Sequence, residues 1–356
     1  MSEILITNSE EIQQNFERIE AALRGTKRLI VMTHDNPDPD SVSSAVTLAY
    51  IIKNRFKVPA VVRYGGIVGR AENRALIREL RLAVQPLKES DFKLRTGVDF
   101  ALVDMQPGTG NSIFPKNRKP IIIIDHHALR KTTKADFIDI RTDYGATATI
   151  LTEYLIESGL EIPSHLATAL SYGISSETQD LGREAREKDI QAYLALFPKS
   201  NKKQLAMIEH PRLPRDYFVT LNRAMHHSFV YKNAIGTLLG EIENPDYVAF
   251  IADFMLKCER MSWAICFGRY GNKIIVSIRT TNTKGNAGSF LRRILGKKGT
   301  AGGHGMIAGG QIPCSSMEHE RCTQVEKEVL KDFLKGLGYS EEAEMTPLLM
   351  EESIRS

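Results

Sequence analysis

Four segments of this 356-residue chain bring acidic and histidine side chains together at spacings that could hold metal. The first, T-H-D-N-P-D-P-D-S, carries His34, Asp38 and Asp40. The second, L-V-D-M, carries Asp104. The third, I-I-I-I-D-H-H, carries Asp125, His126 and His127. The fourth, Y-G-I-S-S-E-T-Q-D, carries Glu177 and Asp180. Carboxylates gathered at one place repel one another and raise each other's pKa, and divalent cations relieve that repulsion directly. Mixed imidazole and carboxylate donors suit Mn²⁺, Fe²⁺, Co²⁺ or Zn²⁺ better than Ca²⁺ or Mg²⁺. About six such ligands can hold two metals roughly 3.5–4 Å apart. A pair of that kind acidifies a bound water and stabilises both oxygens of an in-line displacement at phosphorus. Each motif alone has a plainer reading. Asp-Pro-Asp is commonly a turn, Asp104 could cap a helix, and a histidine doublet can be incidental, as His226-His227 is taken to be. Their joint occurrence in order, the first three directly after strand-like runs, is what favours chemistry.

Those runs belong to an alternating pattern. Asn8 or Ser9 can cap a first helix, with Glu10 and Glu11 in its first turn. Ile12, Phe16, Ile19 and Leu23 follow at helical spacing, and Gly25 ends it. Strands are predicted at Arg28 to Thr33, Val58 to Arg63, Phe100 to Val103, Ile121 to Ile124 and Phe137 to Ile140. Helices are predicted at Ser41 to Ile52, Ala146 to Glu157 and Ser164 to Tyr172. Small residues open the Ser41 helix and allow close packing beside the acidic motif, with Ser41 able to cap it. Strands alternating with helices imply an α/β fold with a mostly parallel sheet covered on both faces. The carboxyl ends of such strands are where ligands bind.

The pattern changes after about Ile190. Residues 1–190 are expected to form the metal-binding domain and 191–215 a proline-bearing connector. Residues 216–340 are expected to form a smaller α/β domain, and 341–356 an acidic, frayed tail. In the second domain, Phe229 to Leu239 reads as a strand and Tyr247 to Lys257 as a helix. Ser262 to Arg269 and Lys273 to Thr280 read as a hairpin across Tyr270-Gly271-Asn272. A glycine-rich stretch, Gly299 to Gly310, precedes a helix from Glu318 to Leu337. Trp263 is read as core.

The bulk numbers narrow the class. With 42% hydrophobic and 25% charged residues, the chain has ordinary globular composition. A net charge of +4 is too mild for a nucleic-acid-coating protein. Four cysteines, none in a C-x-x-C, suggest reduced thiols and a cytoplasmic setting. The N-terminus lacks the basic and apolar regions of a signal peptide, and no apolar run is long enough to span a bilayer.

The ordered motifs resemble the DHH phosphoesterase superfamily. His34, Asp38 and Asp40 match H-x-x-P-D-x-D, Asp104 matches the second motif's aspartate, and Asp125-His126-His127 is the triplet that names the family. A-G-G-H-G-M-I-A-G-G (Ala301 to Gly310), preceded by V-S-I-R (Val276 to Arg279), resembles the G-G-G-H-x-x-A-x-G motif of the associated domain, with Ala301 and Ile307 as small departures. Order and spacing look most like the oligoribonuclease/pAp phosphatase (nanoRNase) branch. The resemblance implies that His34 and Asp38 hold one metal, that Asp40 and His126 hold the other, and that Asp104 bridges them. It implies further that His127 contacts the scissile phosphate and that Asp125 orients a ligand. Mn²⁺ is the expected metal. The family's fourth motif, G-I-x-T-D-T, appears here as Gly173-Ile174-Ser175-Ser176-Glu177-Thr178, so the ligand falls to Glu177 or to nearby Asp180.

In the second domain Arg279 could fork onto a phosphate, and Gly302, Gly303 and His304 could receive an anion or a base. The plain alternative for G-G-H-G is a flexible surface loop. Lys284, Lys297 and Lys298 could add attraction or simply be solvated. The two domains are expected to face each other across a cleft. The expected substrate is a short single-stranded oligonucleotide or 3′-phosphoadenosine 5′-phosphate. Cyclic-dinucleotide products, pyrophosphate or polyphosphate are alternatives, as is a nucleotide-binding protein with weakened catalysis. A homodimer is compatible with the sequence, and no membrane partner is expected.

Overall fold

The run R-L-I-V-M-T-H-D forms the strand β1 (Arg28–Asp35), in which Leu29, Ile30, Val31 and Met32 are all buried. An apolar run without alternation demands cover on both faces, and helices supply it. The structure, a computed structural model, describes residues 9–93, 96–109, 112–115, 117–182, 185–282, 285–314, 319–339 and 345–349. Asn8, Lys284 and most of the expected tail lie outside the described residues. The chain divides into two units, Met1–Pro211 and Arg212–Ser356.

In the N-terminal unit, helix α1 (Ser9–Ala22) precedes β1. Then come α2 (Pro39–Arg55), β2 (Ala60–Gly65), α3 (Ala71–Glu79), β3 (Val84–Pro86), β4 (Val98–Val103), β5 (Ile122–Asp125) and β6 (Phe137–Ile140). Helices α4 (Thr147–Glu157), α5 (Ser164–Glu177), α6 (Glu187–Leu196) and α7 (Lys202–Glu209) complete it. The sheet order is β3-β2-β1-β4-β5-β6 and every neighbouring pair is parallel. The order reverses between β1 and β4, so the crevice beyond their carboxyl ends is the natural ligand site of such a sheet.

Several boundaries differ from the sequence reading. Helix α2 starts at Pro39, two residues earlier, because proline suits the first helical position. Asp38 caps the helix, accepting from the Ser41 amide at 2.8 Å. The capping role expected of Ser41 thus belongs to Asp38. Helix α5 runs five residues past Tyr172, to Glu177, with Gly173 inside it. A Cβ at Gly173 would sit 2.3 Å from Ser43 Oγ and 3.2 Å from Pro39 O. The glycine lets α5 cross the first turn of α2, which carries the acidic motif. Gly173→Ala is expected to destabilise the unit by about 1–3 kcal/mol, read as a lowered urea midpoint. Beyond Ile190, Ala192 and Leu196 of α6 and Leu205 and Ile208 of α7 bury themselves in the same N-terminal core.

The C-terminal unit comprises α8 (Arg215–His227), β7 (Ser228–Tyr231), β8 (Ala234–Glu241), α9 (Asp246–Met255), β9 (Trp263–Tyr270) and β10 (Lys273–Thr280). After these come α10 (Ala287–Leu295), β11 (Thr300–His304), β12 (Ile307–Pro313), α11 (His319–Gly336) and β13 (Thr346–Pro347). Its sheet order is β11-β12-β10-β9-β8-β7-β13, with only the β8–β9 pair parallel. The expected single strand Phe229 to Leu239 is instead two strands, broken at Lys232, where φ is +53°. The glycine-rich stretch is a hairpin and not a loop. Gly303, at φ +133°, would drive a Cβ to 2.3 Å from Ile307 O, and a Cβ on Gly288 would meet Gly303 O at 1.9 Å. Glycine at these positions serves close approach of α10 to the hairpin. Part of the expected frayed tail, Thr346–Pro347, pairs with β7. Trp263 packs on Phe290 and Phe333, at ring separations of 5.1 and 6.3 Å. The four cysteines are thiols, with Cys266 and Cys322 buried. Among the described residues no helix is long and apolar enough to cross a membrane.

Candidate metal centre

β1 delivers His34 to the carboxyl end of the sheet. Its Nδ1 lies 2.9 Å from the Asp35 carbonyl, which can only accept, so that nitrogen carries a proton and Nε2 is the one left to meet a metal. Nε2 stands 3.3 Å from Asp38 Oδ2 and 3.6 Å from Asp104 Oδ2. His126, just past β5, repeats the device. Its Nδ1 faces the Tyr144 carbonyl at 3.3 Å, and its Nε2 stands 3.6 Å from Asp104 Oδ1. That Nε2 is buried without a hydrogen-bond partner. A buried imidazole nitrogen left unmatched is costly unless something electron-poor meets it. A divalent cation fits that requirement.

Asp104 follows β4 and is buried, with φ at +58°. Aspartate tolerates this left-handed conformation better than most residues. Thr147 Oγ1 donates to its Oδ1 at 2.9 Å. Two sets of potential ligand atoms emerge, His34 with Asp38 and Asp104, and Asp104 with His126 and His127. Asp104 belongs to both, one oxygen toward each.

Asp40 stands apart from both sets. Its Oδ2 accepts from the Thr147 amide at 2.8 Å and its Oδ1 from the Ala148 amide at 2.6 Å. It therefore caps α4 across the fold. Burial, then Asp104, Glu177 and Asp38, push its carboxyl well above the usual range. Burial also works to raise Asp38, but His34 and the Ser41 amide outweigh it and hold the group well below that range. For His34 burial opposes the charge, yet Asp38 and Asp104 raise its pKa well above normal. Such opposed shifts mark an excess of negative charge that cations would neutralise.

Asp125 closes β5 and turns back on the loop it starts. Its Oδ1 takes the His127 amide at 3.1 Å and meets His127 Nδ1 at 2.9 Å. Burial disfavours charge on His127, but Asp125, Asp104 and Glu177 raise it to about 9. Glu177, in the last turn of α5, is near enough to bear on both Asp40 and His127. Asp180 accepts from Ser175 Oγ at 2.6 Å and bears instead on Tyr172, Tyr193 and Glu209. Glu177→Gln is therefore expected to weaken Mn²⁺ binding at least about tenfold in a calorimetric titration, while Asp180→Asn leaves it unchanged.

Sequence reasoning missed Gln106. This buried side chain donates from Nε2 to Asp125 Oδ2 at 2.8 Å and to the Ala128 carbonyl at 3.2 Å. Its Oε1 accepts from the Arg130 amide at 3.0 Å and from Thr133 Oγ1 at 2.8 Å. It ties the Asp104 segment to the D-H-H loop. Asp189, on α6, was missed too. Its Oδ2 accepts from the Gly145 amide at 2.9 Å, fixing the turn whose Tyr144 carbonyl holds His126. No local pattern marks either residue.

In the C-terminal unit the expected phosphate fork points elsewhere. The Arg279 guanidinium is buried against Asp253, Ser277 Oγ at 2.7 Å and the Ile278 carbonyl at 3.0 Å. Gly302 and Gly303 pair with Gly309 and Ala308 in the hairpin, and a Cβ on Gly302 would meet open space. The side chain of His304 lies outside the described residues. Lys298 pairs with Asp332 at 3.1 Å.

Two family models match the chain. The DHH family N-terminal domain covers residues 28–174, and the DHHA1 domain covers residues 227–335. The chain belongs to the DHH superfamily of phosphoesterases. Among its relatives is the uncharacterized protein MJ1633 of Methanocaldococcus jannaschii, 35% identical over 320 residues, 88% of this chain and 65% of that one. The same organism's manganese-dependent inorganic pyrophosphatase is 30% identical over 132 residues, 37% of this chain and 39% of that enzyme. The chain thus spans less than two thirds of the length of either relative. An exopolyphosphatase-related protein from Bacteroides fragilis shares the fold, with a TM-score of 0.68 at 13% identity over 92% of this chain and 98% of that one. His34, Asp38, Asp104, His126 and His127 converge at or just past the carboxyl ends of β1, β4 and β5, at the switch point of the sheet.

Proposed function

We propose that this chain hydrolyses phosphate esters of short oligonucleotides or of 3′-phosphoadenosine 5′-phosphate, using two divalent metals, with Mn²⁺ preferred. The observation that carries the reading is Asp104, whose two oxygens each belong to a different ligand group. His34 and Asp38 would hold one ion, and His126, with Glu177 and Asp40 close by, the other. Metals bound there supply an acidified water and positive charge at the reacting phosphorus. The chain's own groups do the rest. The Asp35 and Tyr144 carbonyls fix the histidine tautomers so that Nε2 faces inward. Asp125 holds His127 through Nδ1, so that Nε2 is the nitrogen a substrate oxygen can reach, with the proton that Asp125 helps retain. Asp40, fixed by two α4 amides, sets the spacing between α2 and α4.

The test is turnover with Mn²⁺ of 3′-phosphoadenosine 5′-phosphate, a dinucleotide and pyrophosphate side by side, with metal counted per chain. Two equivalents and release of a mononucleotide support the reading. No metal and no turnover would point to a binding protein. A second reading, hydrolysis of inorganic pyrophosphate, is favoured by the 30% identity over 132 residues with a manganese-dependent inorganic pyrophosphatase. A higher kcat/KM for pyrophosphate than for the dinucleotide would establish it instead.

A further inference from the structure

Just past β6 the chain makes a turn, residues 141–145, that meets the D-H-H segment at two points. The Arg141 amide donates to the Asp125 carbonyl at 3.0 Å, and the Tyr144 carbonyl faces His126 Nδ1 at 3.3 Å. The Tyr144 amide closes the turn, donating to the Arg141 carbonyl at 3.3 Å. Ordering such a segment costs conformational entropy, so groups outside it must hold it still.

Two buried acidic systems do so. On one side Arg141 forks onto Asp139, with Nε to Oδ1 and Nη2 to Oδ2 at 2.8 Å each, while its Nη1 donates to Glu153 Oε2 at 2.7 Å. The Tyr144 hydroxyl accepts from Arg141 Nη1 at 3.2 Å and donates to Glu153 Oε1 at 3.1 Å. On the other side Asp189, fully buried on α6, accepts from the Gly145 amide at 2.9 Å and from Thr149 Oγ1 at 2.5 Å. The Gly145 N–H and the Tyr144 carbonyl belong to one planar peptide group. Asp189 therefore grips the same rigid unit that holds His126 and sets the direction in which its carbonyl points. Stability alone is a poor account of these charges. Apolar side chains of similar volume often serve a buried position as well as an ion pair does. Phe137 of β6 and Ile150, Leu151 and Leu155 of α4 already share one apolar core. Direction is what charge-assisted hydrogen bonds add and apolar packing does not.

We propose that Arg141, Glu153 and Asp189 are positioning residues for His126, acting through the peptide between Tyr144 and Gly145, and that they set the affinity for the metal on the His126 side. The second half rests on the proposed two-metal site. His34 is held by the carbonyl of its own neighbour, Asp35, and lies outside this network, so the ion on its side is insulated from it.

The test uses Asp189→Asn and Glu153→Gln, which keep size and remove charge, and Tyr144→Phe, which removes one hydroxyl. In the metal-free protein, NMR of the imidazole nitrogens should show a protected His126 Nδ1 proton in wild type, and about tenfold or faster exchange of that proton in Asp189→Asn and Glu153→Gln. In a calorimetric Mn²⁺ titration, one of the two binding steps should weaken about 10–100-fold in the same two variants, with the other step within about threefold of wild type. Tyr144→Phe should weaken the same step by about threefold. A network that serves the fold alone would lower the urea midpoint yet leave the ring proton and both Mn²⁺ steps of the folded protein unchanged, and that result would overturn the proposal. Equal weakening of both Mn²⁺ steps would also overturn it. Should wild type bind no Mn²⁺, the two-metal reading fails, while loss of ring-proton protection in the variants would still support the hold on His126.

Discussion

Replacing Asp104 with asparagine is expected to lower kcat roughly 10³-fold or more while leaving the fold in place. Asparagine keeps the size of aspartate and also tolerates positive φ, so the turn after β4 survives. It presents one carbonyl oxygen where two carboxylate oxygens face His34 and His126. The stability readout depends on metal. Without metal the variant should lie close to wild type, since relief of the repulsion against Asp40 is offset by lost attraction to His34 and His127. With Mn²⁺ at about 100 times its Kd, wild type should gain about 2.7 kcal/mol, and the variant should lose most of that gain. Thermal unfolding with and without Mn²⁺, alongside kcat, checks both. A variant that keeps kcat within tenfold of wild type would remove Asp104 from the bridging role.

Gln106→Leu carries the second large expectation, a fall in kcat of about 10–100-fold at saturating metal and substrate. Leucine fills similar space but makes no hydrogen bond. Asp125 Oδ2 loses its amide donor, and the Arg130 amide and Thr133 hydroxyl lose their acceptor. Leaving such partly buried groups unmatched should also cost about 2–4 kcal/mol of stability. The two effects are separable. If Gln106 only supports the fold, the folded fraction will turn over at the wild-type kcat. If it positions the D-H-H loop, kcat falls even where circular dichroism shows the variant folded.

The parallel sheet was legible because its strands are unbroken apolar runs, and the ligand candidates could be picked out because they cluster just past those runs. Asp38, Asp104 and His126 needed no more than that. What could not be read depends on partners distant in the chain. Gly173 looks like a helix end, yet it stays inside α5 because α2 comes within contact of it. Asp40 is picked out as a metal ligand by its spacing, but spacing does not show that its oxygens also accept two amides of α4, more than a hundred residues on. Arg279 looks like a phosphate fork, but Asp253 of α9 takes its guanidinium, and nothing near Arg279 in sequence announces that carboxylate. Gly303 reads as part of an anion cradle or of a surface loop because its reason, backbone packed on backbone, leaves no side-chain pattern. Gln106 is a lone amide in a polar stretch, indistinguishable from a solvated one until its five partners are seen.

Anomalous diffraction from crystals grown with Mn²⁺ bears most directly on the arrangement around Asp104. Two manganese peaks about 3.5–4 Å apart, one on each side of the Asp104 carboxylate, are the expected result. A single peak, or peaks that do not share Asp104, would contradict the account.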